Sequence, residues 1–358
     1  MNFLKLRKII FFIYLFSLNF DFGISYKKTI SPKYFSINSI SLKTQENFEN
    51  KKEKIQNKIS SFLKLIRANN IPATTFLCFS GGFIMNPYFF RLFQNKYFWI
   101  STLITNLIMS ANMVINDLFD MEVDRINSPE RPLITGEISK KEAIGYTIGI
   151  IGIAEALSNC FLIIRSQNII HLTVLFTFIY TPILKRILFV KNLSCATVVA
   201  FSLFFSGISS FDGKSIFLVK NILQELLKNQ RFQILKIAGS LIFCGSFTNE
   251  ILLDIRDSEG DAKQNIPTIP NTFGKVNAFY IAYFTWYLSI ILNTLILIRY
   301  QNIVVGGILC TILYPQLVYL EKVYKTYMTK ETIQIYLKRS NRTMVLILLY
   351  LCVLSNRL

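Results

Sequence analysis

From residue 70 onward, apolar stretches alternate with polar links, at about 70–91, 98–115, 143–164, 169–184, 194–211, 234–253, 278–298, 303–320 and 343–354. Each approaches the roughly 20 residues that a straight helix needs to cross a bilayer, and the shorter ones must borrow from their flanks. The pattern predicts an all-α integral membrane protein of nine spans. No internal repeat stands out and no break is long enough for a separate domain, the 212–233 loop included, so residues 67–358 read as one membrane domain. The links at 116–142, 185–193 and 254–277 are charged, whereas those near 165–168 and 299–302 are short and nearly neutral. Such alternation places the charged links on one side of the membrane.

Upstream the pattern changes. A basic start (Lys5, Arg7, Lys8) precedes an apolar run from Ile9 to Leu18, the length of a signal-peptide core rather than of a span. From Phe22 to Gln45 there is no acid, while Lys27, Lys28, Lys33 and Lys43 alternate with serines, which is transit-peptide composition. Residues 1–45 are therefore expected to be a targeting leader of the bipartite kind that directs proteins to plastids, with the mitochondrial inner membrane as the alternative. Residues 46–66 are polar, with Ile55, Ile59, Phe62 and Leu63 at helical spacing, and predict an amphipathic helix on the membrane surface.

Composition supports the membrane assignment: 52% of the 358 residues are hydrophobic and 14% aromatic, too many for a soluble chain. The 39 Lys and Arg against 21 Asp and Glu give a formal charge of +18. Because the bases lie between apolar stretches, lipid headgroups or a phosphorylated substrate are expected partners and nucleic acid is not. The cysteines stand singly and the one histidine, His171, opens an apolar segment, so neither a zinc site nor a histidine-based triad can be assembled.

The acids of two charged links carry the chemistry. At the end of the second apolar segment, Asn116, Asp120 and Asp124 are four apart, so on a continuous helix they share a face, with Asp117 beside them and Asn112 a turn earlier. Like charges at that spacing destabilise a helix unless a cation neutralises them, and oxygen donors without sulfur or imidazole favour Mg²⁺. After the sixth segment, Asp254, Asp257 and Asp261 repeat the arrangement. Mg²⁺ prefers a few carboxylates completed by phosphate oxygens, so two such faces predict a site for a metal-bound diphosphate.

The strings NDLFDMEVD (116–124) and DIRDSEGD (254–261) resemble the paired aspartate motifs of the UbiA superfamily of membrane prenyltransferases. Arg67 before the first span, Arg131-Pro132-Leu133, the run from Tyr180 to Lys185 with Asn192 after it, and Thr268-Ile269-Pro270 extend the resemblance over residues 60 to 354. It implies a nine-helix UbiA-type bundle with a central cavity, and transfer of an isoprenoid chain from its diphosphate to a lipophilic acceptor. Asn116, Asp120, Asp257 and Asp261 are then expected as direct Mg²⁺ ligands. Asp124 is counted with them or, like Asp117 and Asp254, supports them or acts through water. The resemblance further implies Lys185 and Arg67 as diphosphate ligands, Tyr180 as a cation-facing ring, and Asn112, Asn192, Arg125, Arg131 and Lys263 as further substrate contacts. Asn249, Asn265 and Pro267 depart from the family wording. The string EVDRINSPERPL resembles the group that holds chlorophyll synthases and digeranylgeranylglyceryl phosphate synthase-like enzymes, which implies a twenty-carbon donor, geranylgeranyl or phytyl. Homogentisate or another aromatic acceptor is the alternative within the family. A divalent-cation carrier is the alternative outside it, disfavoured because both acidic clusters lie where spans end.

Overall fold

The computed structural model describes residues 52–53, 55–210, 229–263 and 266–358, and residues 54–358 form one compact unit. The leader, most of the 212–233 loop and Asn265 lie outside the described residues. Among the described residues there is no strand, and nine helices have at least 15 residues. They are α1 (Ile71–Met85), α2 (Lys96–Phe119), α3 (Lys140–Phe161), α4 (Ile164–Tyr180), α5 (Val190–Ser210), α6 (Gln230–Lys263), α7 (Lys275–Tyr300), α8 (Ile303–Lys325) and α9 (Lys330–Ser355). They coincide in order with the nine apolar stretches. Five of them, α2, α3, α5, α7 and α8, are long and apolar enough to cross a membrane. α1 and α4 have only 15 and 17 residues. α6 and α9 are longer but carry charged turns at one end.

Local chemistry sets the helix starts. The Asn95 side chain accepts from the amides of Tyr97 and Phe98 to open α2, and Ser139 with Glu142 forms a capping box on α3. Asn302 and Thr329 cap α8 and α9 in the same way. Gly136, at φ 78, closes the short helix Pro132–Thr135 in a left-handed turn that other residues resist.

α6 is the axis of the fold, touching α1, α5, α7 and α9, and its Leu235, Ala238, Leu241, Ile251 and Leu252 are fully buried. α1 and α5 approach backbone to backbone: a β-carbon on Gly81 would stand 2.2 Å from the Leu203 carbonyl oxygen. That contact anchors α5, whose first turn reaches the acidic motifs. The outer wall has the reverse polarity of a soluble protein. α3 buries only Ala143, Thr147, Ala154 and Ser158 and exposes Ile144, Ile148 and Ile153, while α7 exposes Phe284, Leu288 and Leu295. Large side chains outside and small ones inside suit a helix whose surroundings are hydrocarbon.

Two sequence expectations are refined. The first motif is not on one uninterrupted helix: α2 stops at Phe119, Asp120 takes φ −89 and ψ 7, and a short helix Met121–Asn127 follows. The amides of Asp120 and Asp124 still bond to the carbonyls of Asn116 and Asp120, at 2.9 and 2.8 Å, so the three side chains remain stacked. The last stretch, expected at 343–354, belongs to a helix that begins at Lys330, capped by Thr329 and anchored in its first turns by buried Ile333 and Tyr336. Of the expected surface helix, residues 55–65 are helical, with Ile55, Ile59 and Leu63 exposed and Leu65 buried.

Candidate active site

Both acidic motifs lie at helix ends on the same end of the bundle, and the short helix Met121–Asn127 lies against α6. The first motif is held by arginines. Arg67 and Arg131 both donate to Asp117 Oδ1, at 3.0 and 2.8 Å, and Arg131 also pairs with Asp124. Asp117 and Asp124 are only 3% and 5% exposed, and a buried carboxylate needs such partners. Burial pushes the Asp124 carboxyl up to about 6 against the pull of Arg131, and Asp120 and Asp117 push the same way. Arg67 itself sits in the left-handed region at φ 50, strain that persists where the surroundings fix it.

The second motif lies wholly within α6. Asp254 has both oxygens occupied, Oδ1 by Lys191 Nζ and Oδ2 by Asn192 Nδ2 at 2.8 Å. Asp257 receives two bonds of 2.8 Å from its neighbour Arg256, which also donates to Gln334 of α9. Asp261 is buried and its carboxylate faces Lys191 and Lys185 without a hydrogen bond from any described residue.

The link between α4 and α5, with the first turn of α5, ties the two motifs together. Thr181 donates to Asn116 Oδ1 at 2.6 Å and Lys185 pairs with Asp120, while Lys191 and Asn192 reach Asp254. Tyr180 is buried at the head of this link, its hydroxyl 2.8 Å from Cys195 Sγ and its ring stacked on Phe176. A shallow, open cleft lies beside Arg67 between α1 and α2, lined by Asn70, Thr74, Asn106 and Met113 among others.

Of the residues singled out in the sequence, Arg67, Asn116, Asp117, Asp120, Asp124, Arg131, Lys185, Asn192, Asp254, Asp257 and Asp261 belong to these two connected clusters. Asn112 lies one turn before Asn116, its Oδ1 buried without a partner among the described residues. Arg125 and Lys263 stay outside: Arg125 pairs with Glu122 at 3.4 Å on the exposed face, and Lys263 is exposed at the end of α6. Asn249 accepts from Ser340, which accepts from Gln316, so it serves a buried polar chain between α6, α9 and α8. Lys191, Thr181 and Arg256 were missed. For Lys191 the sequence offers only its place at the start of an apolar helix, which suits a headgroup anchor equally well.

Among the described residues no three acids stand close enough to enclose a metal ion by themselves. The donor set is nonetheless entirely oxygen, spread over two facing helix ends, with the Asp261 carboxylate and the Asn112 amide oxygen receiving no described donor. That fits Mg²⁺, which leaves coordination positions for water and phosphate.

Digeranylgeranylglyceryl phosphate synthase of Saccharolobus solfataricus is 28% identical over 278 residues, 77% of this chain and 89% of the relative. The Metallosphaera sedula protein of the same name is 27% identical over 256 residues, 72% of this chain and 83% of the relative. A solved structure of a digeranylgeranylglyceryl phosphate synthase superposes with a TM-score of 0.60 at 23% identity, covering 84% of this chain and 99% of that one. A UbiA homologue from Archaeoglobus fulgidus bound to GPP and Mg²⁺ superposes at 0.56 and 19% identity, covering 83% and 100%. Residues 72–342, which include both motifs and the link between them, match the UbiA prenyltransferase family, and the chain belongs to that family as a membrane prenyltransferase.

Proposed function

We propose that this enzyme transfers a twenty-carbon isoprenoid chain, geranylgeranyl or phytyl, from its diphosphate to a lipophilic acceptor in a Mg²⁺-dependent reaction. The observation that carries the reading is the lysine-bearing segment, from the α4–α5 link into the first turn of α5, that touches both acidic motifs, Lys185 at Asp120 and Lys191 at Asp254. Asn116, Asp120, Asp124, Asp257 and Asp261 are the residues that would hold Mg²⁺, which supplies positive charge for the departing diphosphate. Lys185 and Arg67, each paired with a carboxylate, lie where they can transfer their charge to phosphate oxygens. Breaking the allylic carbon–oxygen bond leaves its electron pair on the diphosphate and a cation on the isoprenoid. Preorganised bases stabilise the first, and the Tyr180 ring is suited to the second. The acceptor nucleophile then bonds to the cation and gives up its proton, with bulk water excluded.

The relatives named for digeranylgeranylglyceryl phosphate support a glyceryl-phosphate lipid as acceptor ahead of an aromatic ring such as homogentisate. The composition of residues 1–45 supports a plastid membrane, and the archaeal relatives bear on the chemistry rather than on the compartment. The test supplies labelled geranylgeranyl, phytyl and farnesyl diphosphates to the protein in lipid nanodiscs. Prenylglyceryl phosphate, chlorophyllide and homogentisate are offered as acceptors and products are identified by mass. A geranylgeranyl or phytyl adduct that disappears with EDTA is expected. Preference for farnesyl diphosphate, or transfer unaffected by EDTA, would overturn the reading.

A further inference from the structure

Lys191 opens α5 with its side chain 19% exposed, and its partner Asp254 is 2% exposed. Taking an ammonium out of water at the edge of an apolar helix is costly unless a fixed anion receives it. Asp254 does so with one oxygen while Asn192, the next residue, donates to the other. Lys191 also lies within electrostatic reach of Glu250 and Asp261, so one base faces three acids of α6. Two side chains of the preceding link bond to the first motif, Thr181 and Lys185.

From this arrangement we propose that Lys191 is a positioning residue for prenyl transfer. By saturating Asp254 together with Asn192, it keeps that carboxylate from competing for the metal and fixes the α4–α5 link to α6. Lys185 and Asp120 are thereby held opposite Asp257 and Asp261. Asp254 is then an anchor for the link, and the metal-facing acids of the second motif are Asp257 and Asp261. The inference rests on the function proposed above but is read by a separate measurement.

Detergent-purified protein is titrated with Mn²⁺ by electron paramagnetic resonance, and kcat and KM are measured on the same preparation. In Lys191→Met, Asp254 keeps a buried charge without its cation, so Mn²⁺ should bind roughly tenfold more tightly, the scale of one nearby charge at partial burial. The kcat should fall roughly tenfold to a hundredfold, as when other outer-shell partners of a metal site are lost. Lys191→Arg retains the charge and should keep the wild-type Mn²⁺ affinity. A folded Lys191→Met protein with wild-type kcat and Mn²⁺ affinity, even one with a lower Tm, would overturn the proposal. If Lys191→Met does not fold, Lys191→Met/Asp254→Asn removes the buried pair together. It should return to wild-type Mn²⁺ affinity with kcat still depressed, and a wild-type kcat in it would equally overturn the proposal. A wild-type protein without prenyl transfer to any acceptor refutes the function proposed above, while the Mn²⁺ comparison still decides the role of Lys191.

Discussion

Gly260 of the second motif lies against Asn127, the last residue of the short helix that follows Asp120: a β-carbon on Gly260 would stand 2.1 Å from the Asn127 side-chain oxygen. The two acidic segments therefore meet at one point, where the tip of the Asn127 side chain fills the space a β-carbon would take. Gly260→Ala should turn the Asn127 side chain aside and lower kcat a few-fold, less than a misplaced helix would cost. Asn127→Ala removes the obstructing atoms, so the double variant Gly260→Ala/Asn127→Ala should recover most of the rate. Steady-state kinetics on the three proteins checks this, and a Gly260→Ala enzyme with wild-type kcat would contradict it.

The two arginines on Asp117 are not equivalent. Arg131 bridges Asp117 and Asp124, both buried, whereas Arg67 shares only Asp117. Arg131→Ala leaves a buried carboxylate without a cation and should cost about 3 kcal/mol of stability. Arg67→Ala should cost about 1 kcal/mol, because Arg131 remains on Asp117. Thermal unfolding in one detergent ranks the pair, and the opposite order would mean that Arg67 carries the motif.

Asp120→Ala and Asp257→Ala each remove a carboxylate at a helix end and leave no core cavity. Both should abolish product formation while membrane insertion and Tm stay within a few degrees of wild type. Mg²⁺ at high concentration should not restore either variant. Near-normal turnover in either would separate that residue from the metal site.

Lys185→Met keeps the aliphatic stem and removes the charge that now pairs with Asp120. Turnover should fall on the order of a hundredfold, the usual scale for losing one electrostatic contact to a leaving group. The KM for the diphosphate should change less than kcat, since the contact strengthens as negative charge develops. A rise in KM with kcat unchanged would make Lys185 a ground-state anchor only.

The helical order was readable because membrane spans announce themselves by length and apolarity, and the acids because nothing else explains their crowding at span ends. Arg67, Arg131, Lys185 and Asn192 could be named from motif context. Lys191 could not, since a lysine opening an apolar helix reads equally well as a headgroup anchor, and only packing shows which acid it meets. The break at Asp120 was hidden for a related reason: the backbone bonds on either side keep helical spacing, so the periodicity passes through it unchanged. The early start of α9 was hidden by the charged and polar residues of its first turns, among which only Ile333 and Tyr336 are buried.

α4 has 17 residues, about 25 Å at the rise of an α-helix, while a typical hydrocarbon core is about 30 Å thick. Its final residue, Tyr180, leads directly into the link that holds both acidic clusters. A bilayer too thick for α4 must thin locally, or else pull Thr181 and Lys185 toward the acyl chains and away from Asn116 and Asp120. Acyl-chain length in the surrounding lipid thus becomes a control on turnover, with short-chain lipids expected to support a faster enzyme than long-chain ones.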